Sequence, residues 1–139
     1  MTKPIVLKAI LLISGLIGVS IGAGILFVPE AFFATNNIVL ARDANLLSEI
    51  RAPGGALLAS GVLIITGAFI PTLTFTALAL SSLMYLSYGV SRMIGMALDG
   101  MPGDGLVAAC VLEMTIGALN LFVLMKYRGT LQAKIKRIA

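Results

Sequence analysis

Histidine and tryptophan are absent from the sequence, and cysteine occurs once, at Cys110. Without histidine, the chain is not expected to build the common zinc and haem sites, in which an imidazole is a ligand. A single cysteine excludes an internal disulfide and a Cys-x-x-Cys redox pair. Cys110 has no base beside it in sequence, and such a cysteine usually serves as a small packing residue. We therefore expect no metal, no cofactor and no catalytic residue, which favours a protein that is not an enzyme.

Charged residues are also scarce. They make up 12% of the 139 residues, whereas 59% are hydrophobic; in a typical soluble domain about a quarter are charged. The apolar residues form four long runs, each long enough for a helix to cross a bilayer. The runs cover residues 5–28, 52–70, 74–98 and 105–125. The sequence therefore predicts an all-α fold, a transmembrane four-helix bundle, with residues 1–139 forming a single integral membrane domain.

The first run follows a basic start, as the apolar core of a secretory signal peptide does. It is longer than such a core, and no small-x-small cleavage site follows it. We interpret it as a retained helix. Ser14, Gly18 and Gly22 recur at every fourth position, which allows a second helix to approach closely. Glycine is also simply common in membrane helices, and the spacing alone does not separate these two explanations.

The charges that are present are unevenly distributed. Seven basic residues lie at the two ends with no acid among them: Lys3, Lys8, Lys126, Arg128, Lys134, Lys136 and Arg137. The six acids lie between: Glu30, Asp43, Glu49, Asp99, Asp104 and Glu113. Basic flanks remain in the cytoplasm, so we expect both termini there, which requires an even number of spans. The expected partner is the lipid bilayer of a cell membrane rather than nucleic acid.

A polar stripe runs along the third span. Its members are Ser81, Tyr85, Tyr88 and Arg92, and their spacing places them on one face of a helix. The fourth span carries its own acid, Glu113, with Cys110, Gly117 and Asn120 near the same face. The turn at residues 99–104 makes these two spans a hairpin. By counting, Arg92 lies roughly 10 Å and Glu113 roughly 14 Å beyond the turn.

Arg92 and Glu113 are costly inside a bilayer unless they face inward or meet each other, so we predict an ion pair or a polar pocket. The predicted cluster, structural or ligand-binding, comprises Glu49, Arg51, Tyr85, Tyr88, Arg92, Asp99 and Glu113. A structural pair would only fix helix register. A proton path would need titratable groups across the whole bilayer, and the inner half offers only serine, threonine, tyrosine and Asn120. Catalysis would need an activated nucleophile, a metal or a cofactor.

Several local patterns complete the prediction. Asp43 suits the N-cap of a short helix before the second span, and Asn36-Asn37 suits a turn. Pro53 lacks a backbone donor and predicts a kink or break near the start of the second span. After Gly129, Thr130 could cap a last helix. Such a helix would place Leu131, Ile135 and Ile138 on one side, as in a helix on an anionic membrane surface, or else form a frayed basic tail.

The sequence resembles one known family. The residues that carry the resemblance are Glu49-Ile50-Arg51, Gly54-Gly55, Ser91-Arg92, Gly95, Asp99-Gly100 and Glu113. The family is domain of unknown function 4345, which consists of small bacterial four-helix membrane proteins. The resemblance covers nearly the whole chain and implies four helices of about this length. It supplies architecture and no activity.

Taken together, these patterns favour a non-enzymatic accessory or scaffold subunit of a membrane complex, and the resemblance implies that the membrane is the bacterial inner membrane. A lipid or quinone-like ligand near Arg92 and Glu113 would fit the polar cluster. Partners would be other membrane subunits or a second copy of the chain. The alternatives are a small transporter, and a membrane enzyme that acts on a lipid-soluble substrate.

Overall fold

Five α-helices make up the fold in the computed structural model, which describes the backbone of residues 4–138 and the side chains of residues 5–129. They are α1 (Pro4–Phe27), α2 (Pro29–Ala34), α3 (Ala44–Gly67), α4 (Thr74–Asp99) and α5 (Asp104–Ile138). A 3-10 turn, Pro71–Leu73, precedes α4. No strand occurs between residues 4 and 138. The predicted all-α class is therefore confirmed.

Four of these helices, α1, α3, α4 and α5, are long and apolar enough to cross a membrane. Large apolar side chains are exposed on the outside of each one; Ile13, Val62, Leu83 and Phe122 are examples, all more than half exposed. Exposed apolar surface on this scale suits lipid rather than water. The protein is a membrane protein with four helices able to span the bilayer, as predicted.

The helices α1 and α3 pack closely against each other at glycines. A methyl group on Gly61 would lie 2.6 Å from the backbone nitrogen of Val19 and 2.8 Å from the carbonyl oxygen of Gly15. On the other side of the contact, a methyl group on Gly22 would collide with the backbone of Leu58. Only glycine permits two backbones to approach this closely. The predicted close approach along Gly18 and Gly22 is therefore present, and we call this contact the glycine seam.

A second pair is formed by α4 and α5. Gly89 of α4 packs against Met114, and Gly117 of α5 packs against Leu86. The two pairs are joined at the end that carries the chain termini, where the Thr74 hydroxyl donates to the Gly67 carbonyl over 2.9 Å. At the opposite end, which we call the loop end, residues 28–43 cross over the bundle. The Thr74–Gly67 contact holds the end of α3 to the start of α4.

The loop end is closed by α2 and the turn that follows it. Pro29 starts α2, and Asn37 ends the turn in the left-handed conformation (φ 59°), which asparagine tolerates better than most residues. The ring of Phe32 packs on Gly24 of α1, and the side chain of Asn36 packs on Gly105 at the start of α5. This short helix and its turn therefore contact both the first and the last span and close the loop end of the bundle.

The start of the second span differs from the prediction. Asp43 is an N-cap, as predicted, and its carboxylate accepts from the Leu46 amide over 2.9 Å. The helix that it caps does not end near Pro53, however, but continues unbroken to Gly67. Proline frees only one carbonyl, that of Glu49, and Glu49 is exposed where that carbonyl can be solvated. The expected break is wrong, and the helix that contains the second apolar run begins at Ala44, before residue 52.

The last helix also differs. The backbone of α5 runs through Gly129 without interruption, so no separate helix begins at Thr130. Its 35 residues correspond to about 52 Å, well beyond the roughly 30 Å of a hydrocarbon core. The helix is therefore longer than a crossing of the hydrocarbon core requires. The side chains that were expected to rest on the membrane surface lie outside the described residues, so that part of the prediction stays open.

Candidate binding cavity at the loop end

The predicted ion pair between the third and fourth spans is present. The Nε atom of Arg92 on α4 lies 2.8 Å from Oε2 and 3.1 Å from Oε1 of Glu113 on α5. The Glu113 side chain is 11% exposed and that of Arg92 is 33% exposed. The helical hairpin brings them to nearly the same depth, as counting from the turn at residues 99–104 predicts. Each charge is therefore offset by the other.

The pairing uses only one edge of the guanidinium. Both bonds come from Nε, and no other hydrogen bond of the Arg92 side chain occurs within the described part of the chain. An arginine has five N–H donors. The two terminal amino groups are consequently left with four N–H donors and no protein acceptor. The Arg92 side chain is one-third exposed, so these donors are accessible to water or to a ligand.

Arg92 and Glu113 line a cavity of about 240 Å³ at the loop end. All four spans and α2 contribute to it. Its walls are mostly apolar; besides the ion pair they comprise Gly18, Ile21, Ile25, Phe32, Phe33, Asn36, Ile38, Leu57, Met84, Tyr85, Tyr88, Leu106 and Ala109. The arrangement is that of a small-molecule site, in which an apolar enclosure holds a few polar groups.

The two tyrosines of the stripe have different surroundings. Tyr85 is buried, and its hydroxyl donates to the backbone carbonyl of Ser14 on α1 over 2.5 Å. Tyr88 is only partly buried and lines the cavity one turn nearer the loop end. Its hydroxyl makes no hydrogen bond to the described residues. Tyr85 is therefore a structural contact as well as a wall of the cavity, whereas the Tyr88 hydroxyl is available to a ligand.

Below the cavity, three helices meet through polar groups. The Asn120 side chain is fully buried, and its amide donates to the Ser14 hydroxyl over 2.8 Å and to the Ile116 carbonyl over 2.9 Å. We call Ser14, Tyr85 and Asn120 the midspan cluster. Sequence reasoning named Ser14 only as a small residue and missed its polar role. The available signal was a side chain with a hydroxyl group at a position on α1 that faces other helices.

Two polar atoms near this level are buried without a partner: the Ser81 hydroxyl and the Asn120 side-chain oxygen. Ser81, a member of the predicted stripe, is thus inside the bundle and away from the cavity wall. Cys110, also predicted near the acid, is buried and directs its sulfur to the Gly89 carbonyl over 3.5 Å. This contact across the α4–α5 pair is a packing role.

The remaining residues of the predicted cluster do not line the cavity. Asp99 lies in a neighbouring cleft of about 230 Å³, which Arg92 and Leu106 also line, so Arg92 stands between cavity and cleft. Arg51 donates to the Leu26 carbonyl at the end of α1. Glu49 is exposed on α3. Depth alone suggested that these residues would join Arg92, but Glu49 and Arg51 lie at other angles around the bundle.

Among the described residues, no three histidine, cysteine, aspartate or glutamate side chains lie together where they could hold a metal ion. What the cavity offers is a set of hydrogen-bond donors on Arg92, with the Tyr88 hydroxyl nearby, inside apolar walls. Such a set can bind an oxygen acceptor and exclude water from it.

Comparison with known proteins identifies a family. A family model described as Domain of unknown function (DUF4345) matches residues 6–124, which include most of each of the four spans and every residue of the cavity. No curated protein and no solved structure is significantly similar to the chain.

Proposed function

The chain belongs to the family described as Domain of unknown function (DUF4345), and we propose that it is a non-enzymatic membrane subunit that holds an amphipathic ligand in its loop-end cavity. The observation that carries the proposal is the Arg92 side chain, which lines a mostly apolar cavity and whose terminal amino groups have no acceptor among the described residues. An oxygen acceptor on a ligand would satisfy them. The ligand class is a lipid or a quinone-like compound.

The charge of the site favours a neutral head group. Glu113 already offsets the charge of Arg92 through two contacts of 2.8 and 3.1 Å. An anionic head group would compete with Glu113 and would lie near Asp99, which lines the adjoining cleft. A carbonyl oxygen needs donors but brings no charge. The carbonyl of a quinone ring or of a lipid ester therefore suits this guanidinium better than a free carboxylate does.

The size of the cavity limits what it encloses. A cavity of about 150 Å³ holds benzene, and drug-sized pockets start near 300 Å³. A volume of about 240 Å³ therefore takes a substituted six-membered ring or an ester group, not a whole lipid. The hydrocarbon tail would leave between the helices and lie among the surrounding lipids.

We also propose the setting of this site. The protein is a single domain of the bacterial inner membrane with both termini in the cytoplasm, and the cavity opens toward the extracytoplasmic side. The basic residues at the two ends support this orientation. The role as an accessory subunit rests on the small number of chemically active groups. A transporter is less well supported, because the buried midspan cluster closes the bundle below the cavity.

Substitutions at two adjacent alanines test whether the loop-end cavity binds the ligand. Ala109 lines the cavity, and Ala108 beside it is exposed on the outside of α5. Ala109→Leu fills the cavity, whereas Ala108→Leu adds the same atoms to the lipid-facing surface. We expect the parent protein and Ala108→Leu, purified in mild detergent, to retain a quinone-like or lipid molecule and to bind an added short-chain benzoquinone.

Ala109→Leu should lose both the retained molecule and the added quinone. Extraction followed by mass spectrometry measures the first, and quenching of tyrosine fluorescence measures the second. Equal retention by all three proteins would show that the cavity is not the binding site. Thermal unfolding of each variant in detergent identifies any loss that comes from misfolding.

A further inference from the structure

A second feature of the loop end lies on the outside of the bundle, against α3. It is an open groove of about 590 Å³ with Leu26 of α1 on one side and the outward face of α3 on the other. Its apolar floor includes Leu47, Ala52, Gly55 and Ala56, and Ser48 and Arg51 supply its polar groups. We propose that this groove binds a phospholipid of the loop-end leaflet, with the lipid phosphate on Arg51.

The charge of Arg51 is the first argument. Three arginines lie at the loop end. Arg42 pairs with Glu30 over 3.1 Å, and Arg92 pairs with Glu113 over 2.8 Å. Arg51 has no carboxylate partner among the described residues, and Glu30, which lines a small cleft on its other side, is already engaged by Arg42. Arg51 is therefore the one arginine at this end whose charge no acid offsets.

The hydrogen bonding of Arg51 is the second argument. Its Nη1 atom donates to the Leu26 carbonyl, which belongs to the last turn of α1 and has no partner there. This contact fixes one edge of the guanidinium beside the groove. The Nε and Nη2 donors make no hydrogen bond within residues 5–129. A planar guanidinium held in this way presents parallel donors, which match the geometry of a phosphate.

Depth is the third argument. Glu49 is exposed two residues before Arg51, and an exposed carboxylate does not lie in hydrocarbon. The apolar part of α3 starts at Ala52, so Arg51 stands at the boundary where phospholipid phosphates lie. From Ala44 to Ala56 the groove follows α3 for about 18 Å. It therefore extends from the head-group layer to the upper part of an acyl chain.

The groove also lies outside the close contact between α1 and α3. A methyl group on Gly55 would have one neighbour within 4 Å, a side-chain atom of Leu26 at 4.0 Å. By contrast, methyl groups on Gly54 or Gly61 would lie within 3.0 Å of α1. Gly55 therefore serves no internal contact. Its lack of a side chain leaves open the space in which an acyl chain would lie.

The test uses full-length protein in mild detergent and native mass spectrometry with added palmitoyl-oleoyl phosphatidylglycerol. Arg51→Gln removes the charge but keeps an amide donor on the side chain, and Gly55→Leu fills the groove while keeping the Arg51 charge. Arg42→Gln is the matched control, since it removes an arginine from the same end. Palmitoyl-oleoyl glycerol, which has the same chains and no phosphate, and inorganic phosphate separate the possible sources of binding.

We expect Arg51→Gln to bind the phospholipid roughly tenfold more weakly or worse, which is the scale of a lost charge-assisted hydrogen bond. Gly55→Leu should lose it, and Arg42→Gln should bind as the parent does. Equal binding by parent, Arg51→Gln and Gly55→Leu overturns the proposal, as does an equal loss in Arg42→Gln. Binding of the glycerol as tightly as the phospholipid, or displacement of the phospholipid by inorganic phosphate, overturns the phospholipid assignment.

This site is independent of the loop-end cavity. Ala109→Leu should therefore leave phosphatidylglycerol binding unchanged, whatever its effect on the cavity ligand. A loss of both ligands in that variant would mean that the groove does not bind on its own, which would also contradict the proposal.

Discussion

The side-chain amide of Asn120 donates a hydrogen bond to the hydroxyl of Ser14 over 2.8 Å, which joins the last span to the first. Tyr85 adds the third span by donating to the carbonyl of the same serine. Hydrogen bonds between membrane helices stabilise by about 0.6 kcal/mol on average, because the separated helices also find partners. The midspan cluster therefore sets the register of three helices more than it adds to the free energy of unfolding.

Removal of one hydroxyl tests the cluster. Tyr85→Phe loses the contact with Ser14, and we expect the free energy of unfolding to fall by about 0.5–1.5 kcal/mol. Tyr88→Phe is the control, since its hydroxyl has no partner among the described residues, and its stability should match that of the parent. Denaturant titration in detergent measures both. Equal stability of the two variants would show that the Tyr85–Ser14 bond contributes nothing.

The ion pair can be tested with Arg92→Leu, Glu113→Leu and the double variant. Removal of one partner of a buried pair costs about 3–5 kcal/mol. We expect less here, because Arg92 is 33% exposed and can be hydrated when it is left alone. Glu113→Leu leaves behind an arginine, which cannot discharge itself. Glu113→Leu should therefore be the less stable single variant.

The double leucine variant should recover much of the lost stability, because apolar residues can replace a buried ion pair without loss. Thermal unfolding in detergent measures all four proteins. If the double variant is stable but no longer retains the cavity ligand, the pair is functional as well as structural. Additive losses in the double variant would contradict the energetic coupling that the 2.8 Å contact implies.

The glycine seam gives a prediction with an internal control. Gly61→Ala places a methyl group against the backbone of Val19 and Gly15, which side-chain motion cannot relieve, so we expect a loss of about 1–3 kcal/mol. Gly55→Ala meets only a distant atom of Leu26, so its stability should be unchanged or slightly raised. Denaturant titration of both variants is the measurement. Equal tolerance of the two alanines would contradict the close contact between α1 and α3.

The orientation of the chain is tested with reporter fusions. The four spans alternate in direction, so a reporter after residue 139 and one inserted at Val39, which is 95% exposed, should report opposite sides of the membrane. The basic residues at the ends predict that the first is cytoplasmic. A C-terminus on the outer side would reverse the proposed orientation and place the cavity toward the cytoplasm.

The sequence predicted those features that depend on position along a helix. Arg92 and Glu113 could be paired by counting, because the turn at residues 99–104 fixes the depth of both. Asp43 could be identified as a cap, because capping is a local contact within one turn. The close packing of Gly18 and Gly22 followed from spacing in the same way.

The direction that a side chain faces around its helix axis could not be predicted from its depth along the helix. Arg51 was placed with Arg92, yet it faces the end of α1, and nothing in the spacing of α3 fixes that angle. The partners of Asn120 were missed for the same reason, since Ser14 lies 106 residues away in sequence. The prediction of a break at Pro53 was wrong. Proline inside a helix leaves one carbonyl without a hydrogen bond, and at an exposed position this costs too little free energy to end the helix.

The division into two helix pairs has a mechanical consequence. The glycine seam packs α1 closely against α3, and the contacts of Gly89 and Gly117 pack α4 closely against α5. The two pairs are held together at the midspan cluster and at the Thr74–Gly67 contact. The cavity lies between the two helix pairs, on the loop-end side of these contacts. Because Arg92 and Glu113 both lie on the α4–α5 pair, ligands of different width would displace the α1–α3 wall and still meet the same ion pair.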